Sequence, residues 1–365
     1  MKILLQPFFL IFVQILTIIT NTCKASTLPK YPAILIFGDS SVDTGNNNFL
    51  TTIFQSNHYP YGHDFPGQVP TGRFSDGKIP PDLLAKSLGI KDIVPAFLDP
   101  TKSNDELLTG VSFASAGSGF DDLTIVASGV LSMTEQIELF KNYIQKLEGL
   151  AGQDKAMKII SGAMVSISAG VNDFGYNFYN FPATRRRQFT IGQYQDFILG
   201  RIQTFVKELY GLGLRTMLIG GLPPMGCLPI QITARFKDPR DRRCLEDQNS
   251  DSQAYNQKLA IMLPELQGSL PGSKLVFANG YVPFIDMINN PQKYGFVEVN
   301  RGCCGTGFVE MASLCNIKTP ICQNPSQFLF WDSIHPSQKA YQYIANYLES
   351  RVLPLLFEDS EHQSR

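Results

Sequence analysis

The sequence predicts an α/β fold built around a mainly parallel sheet. Short apolar, β-branched runs alternate with longer stretches whose apolar residues recur every three or four positions. No internal repeat or low-complexity linker divides residues 30–355, so the alternation belongs to a single domain. Most of the apolar runs end in Gly, Ser, Asn or Asp, the residues of tight turns.

Taken in order, the first strand is predicted over residues 33–37 (AILIF) and the second over 110–113. Ser132-x-x-Glu135 forms a capping box that opens a helix whose face carries Ile137, Phe140, Ile144 and Leu147. A third strand is expected at 163–167. A long helix over 193–210 follows, with Tyr194, Phe197, Ile198, Ile202, Phe205, Val206 and Leu209 on one side and Gly211 and Gly213 behind it. Strands at 216–219 and 275–277 complete a five-stranded sheet. A last helix runs from Ser337, behind Pro336, to about Leu353.

Composition bounds the function. The chain has 365 residues, 44% hydrophobic and 17% charged, with a formal net charge of −1. That suits a folded protein and offers no basic field for nucleic acid or an anionic membrane. Arg185-Arg186-Arg187 is the one local exception and reads as a solvated loop. Residues 1–25 are predicted to be a signal peptide: Lys2, an apolar stretch over 3–20, and the small-residue site at Ala25. A membrane anchor is the competing reading of that stretch. Residues 26–365 are then the mature domain, with a polar tail from about 356, and it is expected to be secreted to the extracellular space or cell wall. Six cysteines remain after Cys23: Cys227, Cys244, Cys303, Cys304, Cys315 and Cys322. An even number in a secreted chain points to disulfides, with several connectivities open. Adjacent cysteines and the lack of nearby histidines argue against a zinc site.

Open parallel sheets hold ligands beyond the carboxyl ends of their strands. Those positions carry Gly38-Asp39-Ser40, Ala116-Gly117-Ser118, Gly170-Val171-Asn172-Asp173 and Gly220-Gly221. Before the last helix stands FWDSIHPS, residues 330–337. Hydrolysing an ester needs a nucleophile, a base, a group that orients the base, and donors for the oxyanion. Ser40 can be the nucleophile, His335 the base and Asp332 its orienting partner. The N–H groups of Ser40 and Gly117 and the amide of Asn172 are candidate oxyanion donors. Of four histidines, only His335 has a carboxylate neighbour on a strand-to-helix loop: His58 and His63 lie in NHYPYGHDFPG, and His362 is in the tail. Taken alone, Asp332 and His335 also read as the start of a helix with Pro336 in its first turn.

Six blocks in order, FGDSSVDTGNNN, PTGRFSDGK, GVSFASAGSG, SISAGVNDF, GLPPMGCLP and FWDSIHPS, resemble the plant GDSL esterase/lipase family of the SGNH hydrolases. The segment RGCCGTGFVEMASLCN is similar to its extracellular lipase subgroup. The resemblance spans nearly all of residues 30–352. It implies a three-layer α/β/α flavodoxin-like fold and a carboxylic ester hydrolase acting on lipid or other acyl esters, without cofactor or metal. It also implies Ser40, Asp332 and His335 as catalytic residues, and Ser40, Gly117 and Asn172 as the oxyanion hole. Acyl transfer by the same triad, and a non-catalytic cell-wall binding protein on the same scaffold, are the alternatives. Two positions depart from the pattern: Ser41 stands where the family name places Leu, and Ser112 where many members carry Asn. The aromatic stretch FGYNFYNFP, residues 174–182, reads equally as acyl pocket or as local packing.

Overall fold

In the computed structural model, residues 31–126, 128–180 and 182–356 are described. The expected signal peptide, the polar tail and His362 lie outside them. Four parallel strands form the main sheet in the order β1 (Ile34–Gly38), β2 (Met164–Ser168), β3 (Thr216–Gly220) and β4 (Lys274–Ala278). The register runs from Ile34 opposite Met164 to Gly38 opposite Ser168, so the carboxyl ends of β1 and β2 are level.

The strand expected at 110–113 is not a regular member of this sheet, which has four strands rather than five. Residues 109–115 do lie along the free edge of β1. Ile36 donates to the carbonyl of Val111, Phe113 donates back to that of Ile36, and Ser115 donates to that of Gly38. Only Ser112 forms a ladder bridge. Gly110 sits at φ 97°, outside the extended region, and the outer carbonyls of Ser112 and Ala114 are taken by the Asn46 side chain. With this segment counted, the chain steps outward from β1 and then returns to its other side. The crevice above β1 and β2 is therefore the switch point of the sheet.

Alternation along the strands sends two sets of side chains to two faces. Leu35, Phe37, Val165, Ile167, Met217 and Ile219 enter one large apolar core. Covering that face are α2 (Met133–Ala151), α3 (Gln153–Gly162), α4 (Ile191–Gly211) and α5 (Glu246–Gly268). The opposite face carries Ile34, Ile36, Met164, Leu218 and Val276. It is covered by α1 (Pro80–Ser87), α6 (Tyr281–Asn289) and α7 (Gln338–Arg351). The result is a three-layer α/β/α arrangement.

Ser132 caps α2 as its capping box predicts, Thr190 and Gln193 form a second box on α4, and Ser337 caps α7. Helix α5 escaped the sequence reading. Its first two turns bury Gln248, Asn249 and Ser252, so no apolar stripe marks its start. A small parallel pair, β5 (Glu298–Gly302) and β6 (Phe328–Phe330), leads directly into residues 331–335.

Three disulfides pair the six cysteines: Cys227–Cys244, Cys303–Cys322 and Cys304–Cys315. The last two close one loop beside the crevice. Among the described residues, no helix is long and apolar enough to cross a membrane.

Candidate active site

The turn after β1 has one permissible residue at its first position. Gly38 has φ 141°, and a Cβ there would sit 1.9 Å from the carbonyl oxygen of Ser168 on β2. Its backbone is held from α2 by the Gln136 side chain, which accepts from the Gly38 N–H at 2.8 Å and donates to its carbonyl at 2.9 Å. Asp39 is buried and accepts from both the N–H and the hydroxyl of Ser41, at 3.0 and 2.7 Å. Burial raises its pKa, and the two bonds from Ser41 pull the other way. Ser41 Oγ also lies 3.1 Å from Ser168 Oγ. The residue that departs from the GDSL pattern thus ties the turn together, and Ser40 is left projecting above it.

Ser40 Oγ meets His335 Nε2 at 2.8 Å across 295 residues of chain. His335 Nδ1 lies 2.7 Å from Asp332 Oδ2 and 2.9 Å from Oδ1. Asp332 is fully buried, yet every lone-pair direction that matters has a donor. Oδ1 accepts from the N–H groups of Ile334 and His335, and Oδ2 accepts from the Tyr61 hydroxyl at 2.7 Å. The imidazole packs against the Phe74 ring, with centroids 4.9 Å apart. An Asp bonded to one ring nitrogen and a hydroxyl to the other selects the tautomer that can accept the hydroxyl proton.

Gly117 and Asn172 line the same small recess as Ser40 and His335. Among the described residues, no protein acceptor meets the N–H of Ser40 or of Gly117. Asn172 donates one amide hydrogen to the Ser118 carbonyl at 2.9 Å, which orients the side chain and leaves its second hydrogen available. Gly117 takes φ 91°; a Cβ there would make ordinary contacts with Phe54 and Val130, so backbone conformation rather than crowding calls for glycine. Five candidate residues from four separate segments therefore converge at the crevice.

The polar stretch after Ser40 explains the convergence. Asp43 accepts from the N–H groups of Gly45 and Asn46 through Oδ1 and from Ala116 through Oδ2. Asn47 donates to the carbonyls of Phe54 and Ala116. These bonds hold the Gly117 loop beside the Ser40 turn. Burial lifts the Asp43 pKa to about 6 against the pull of those backbone donors. On the far side, Asp173 accepts from the N–H groups of Phe120 and Asp121 and from the Thr124 hydroxyl, joining the Gly117 loop to the segment that bears Asn172. Burial lifts its pKa to about 7. Residues Asp173–Tyr179 form a π-helical turn, a local irregularity common at functional sites.

Sequence reasoning missed Tyr61, Phe74 and Gln136. Tyr61 comes from the histidine-bearing loop, where His58 and His63 are instead engaged in local hydrogen bonds. Arg73, beside Phe74, makes a buried two-pronged ion pair with Asp82 that anchors this loop to α1. The aromatic stretch divides: Phe174 and Phe178 enter the core, and Tyr176 lines the recess with Phe54. Arg185 is a correction, since it forms a two-pronged pair with buried Asp121 rather than lying free in solvent.

The family model described as GDSL-like Lipase/Acylhydrolase matches residues 34–348. Among curated proteins, three from Arabidopsis thaliana, each named GDSL esterase/lipase, are similar throughout. The first is 54% identical over 332 residues, covering 91% of this chain and 92% of its own. A second is 53% identical over 346 residues, with 94% and 96% covered. The third is 53% identical over 330 residues, with 90% and 91% covered.

Proposed function

The chain belongs to the GDSL-like lipase/acylhydrolase family of ester-hydrolysing enzymes, and from that premise we propose that it cleaves carboxylic esters through an acyl-Ser40 intermediate. The observation that carries this reading is the 2.8 Å contact between Ser40 Oγ and His335 Nε2, backed by Asp332 at 2.7 Å. Ser40 Oγ attacks the ester carbonyl carbon as its proton passes to His335 Nε2. The oxyanion accepts from the N–H groups of Ser40 and Gly117 and from the Asn172 amide. Collapse breaks the bond to the alcohol oxygen, which takes the proton from His335. Water, activated by His335, then attacks the acyl-Ser40 carbonyl, releases the acid and restores the serine. Asp332 keeps the ring oriented and stabilises its positive charge.

The substrates are lipid or other acyl esters. Three disulfides and the apolar stretch within residues 1–25 support secretion to an oxidising compartment. Labelling with a fluorophosphonate, together with p-nitrophenyl ester hydrolysis, tests the mechanism. Both are expected in the wild type and absent in Ser40→Ala. A folded wild type that resists the label and leaves the ester intact overturns it.

A further inference from the structure

The sheet face under α7 does not close over its carboxyl end. Ser168, Gly220 and Ala278, together with Ser166 one step back on β2, point to that face from three adjacent strands. All four are small. A parallel strand buried on both faces ordinarily carries Val, Ile or Leu at such positions, as β1 does with Ile34 and Ile36. The helices above contribute Leu83, Phe284, Ile344 and Leu348 without filling the gap. What remains is a cavity of about 180 Å³.

Its near end is the reactive centre itself: Ser40, Asn172 and His335 line this cavity as well as the small recess that holds Gly117. Ser40 therefore stands where two spaces meet. The recess, bounded by Gly117 and the aromatic side chains of Phe54 and Tyr176, has room for the carbonyl group and little beyond it. The larger space is walled mainly by aliphatic and aromatic carbon and extends from Ser40 and Asn172 along the sheet face to Leu348 on α7.

We propose that this cavity between the small-residue patch of β2–β4 and helix α7 binds the acyl chain of the substrate, with a preference for medium-length chains. The inference rests on the acyl-Ser40 reading and adds the substrate class to it. An apolar cavity of about 150 Å³ holds one benzene ring, so this one accommodates a chain of roughly six to eight carbons. Each methylene moved from water into it contributes about fourfold in binding. That gain appears in kcat/KM because the chain is held through the transition state.

The test is a series of p-nitrophenyl esters from acetate to palmitate, run on the wild type and on Ala345→Phe, whose side chain is directed to the cavity from α7. The expected wild-type profile rises steeply from acetate and peaks near hexanoate or octanoate. In Ala345→Phe the octanoate-to-acetate ratio of kcat/KM falls at least tenfold. Ala278→Leu, which fills the same space from β4, supplies the ratio if the first variant does not fold. A paired series of alkyl acetates separates acyl chain from alcohol. If octyl acetate, and not octanoate, is the ester that loses rate, the alcohol occupies the cavity and the proposal is overturned. An unchanged ratio in a folded variant overturns the cavity assignment while leaving the ester mechanism standing. No cleavage of any ester by the wild type overturns both.

Discussion

The Tyr61 hydroxyl donates to Asp332 Oδ2 at 2.7 Å and itself accepts from the Ala312 N–H at 2.8 Å. Both side chains are fully buried, and 271 positions separate them. Burial, reinforced by the neighbouring Asp332 charge, holds the phenol pKa well above its usual value, so it remains a donor across the working pH range. A buried carboxylate with such a donor is held in one rotamer, and with it the ring of His335. Tyr61→Phe is expected to lower kcat about tenfold, the loss of one charge-assisted hydrogen bond, with KM little changed. Steady-state kinetics on one short-chain ester check this; a fall confined to KM contradicts the positioning role.

Gln136 completes the backbone pairing of Gly38 in place of a neighbouring strand. Gln136→Leu leaves the buried Gly38 N–H without a partner, while its carbonyl keeps the Ser115 N–H, at a cost of roughly 1–3 kcal/mol. Urea unfolding of Gln136→Leu checks this, and a midpoint equal to that of the wild type contradicts it.

Asp173 carries a pH signature. Its folded pKa of about 7 lies above the unfolded carboxylate value, so the folded state holds the proton more tightly. Its contribution to stability is therefore complete below about pH 4 and is lost as pH rises to about 7. Asp173→Asn should flatten the fall in thermal midpoint over that window. It should also lower stability below about pH 4, where neutral Asp173 carries no penalty for a buried charge and one amide oxygen cannot serve the three donors that the two carboxyl oxygens accept. Calorimetry at several pH values decides the point; an unchanged slope contradicts it.

The Cys304–Cys315 bridge closes the segment that delivers the Ala312 N–H to Tyr61. Replacing both cysteines with alanine is expected to cost about 3 kcal/mol of stability by the loop-entropy relation. Activity should fall with it even at temperatures where the variant is folded. A variant with wild-type kcat would separate the bridge from the site.

Much of the candidate site's geometry was legible because its parts follow strand ends. Ser40 and Asn172 stand just beyond β1 and β2 of the main parallel sheet, which collects such positions on one rim. Gly117 instead follows the segment along the β1 edge, and the Asp332–His335 pair follows β6 of the small second sheet. The strand at 110–113 was overread for the same reason. Its apolar pattern is real, but Gly110 and the Asn46 side chain replace regular ladder geometry at that edge. Helix α5 was missed because its opening turns bury polar groups.

By itself the sequence determined the alternation of strands and helices, the caps of the long helices, and which serine, histidine and carboxylate stand at strand ends. These are written in residues two to four positions apart, within reach of local periodicity and turn chemistry. Only the tertiary structure decided that Tyr61 serves Asp332, that Gln136 serves Gly38, which cysteines pair, and that four small residues align beside a cavity. Those relations depend on strand register and loop paths between residues far apart in the chain, and no short-range pattern encodes them.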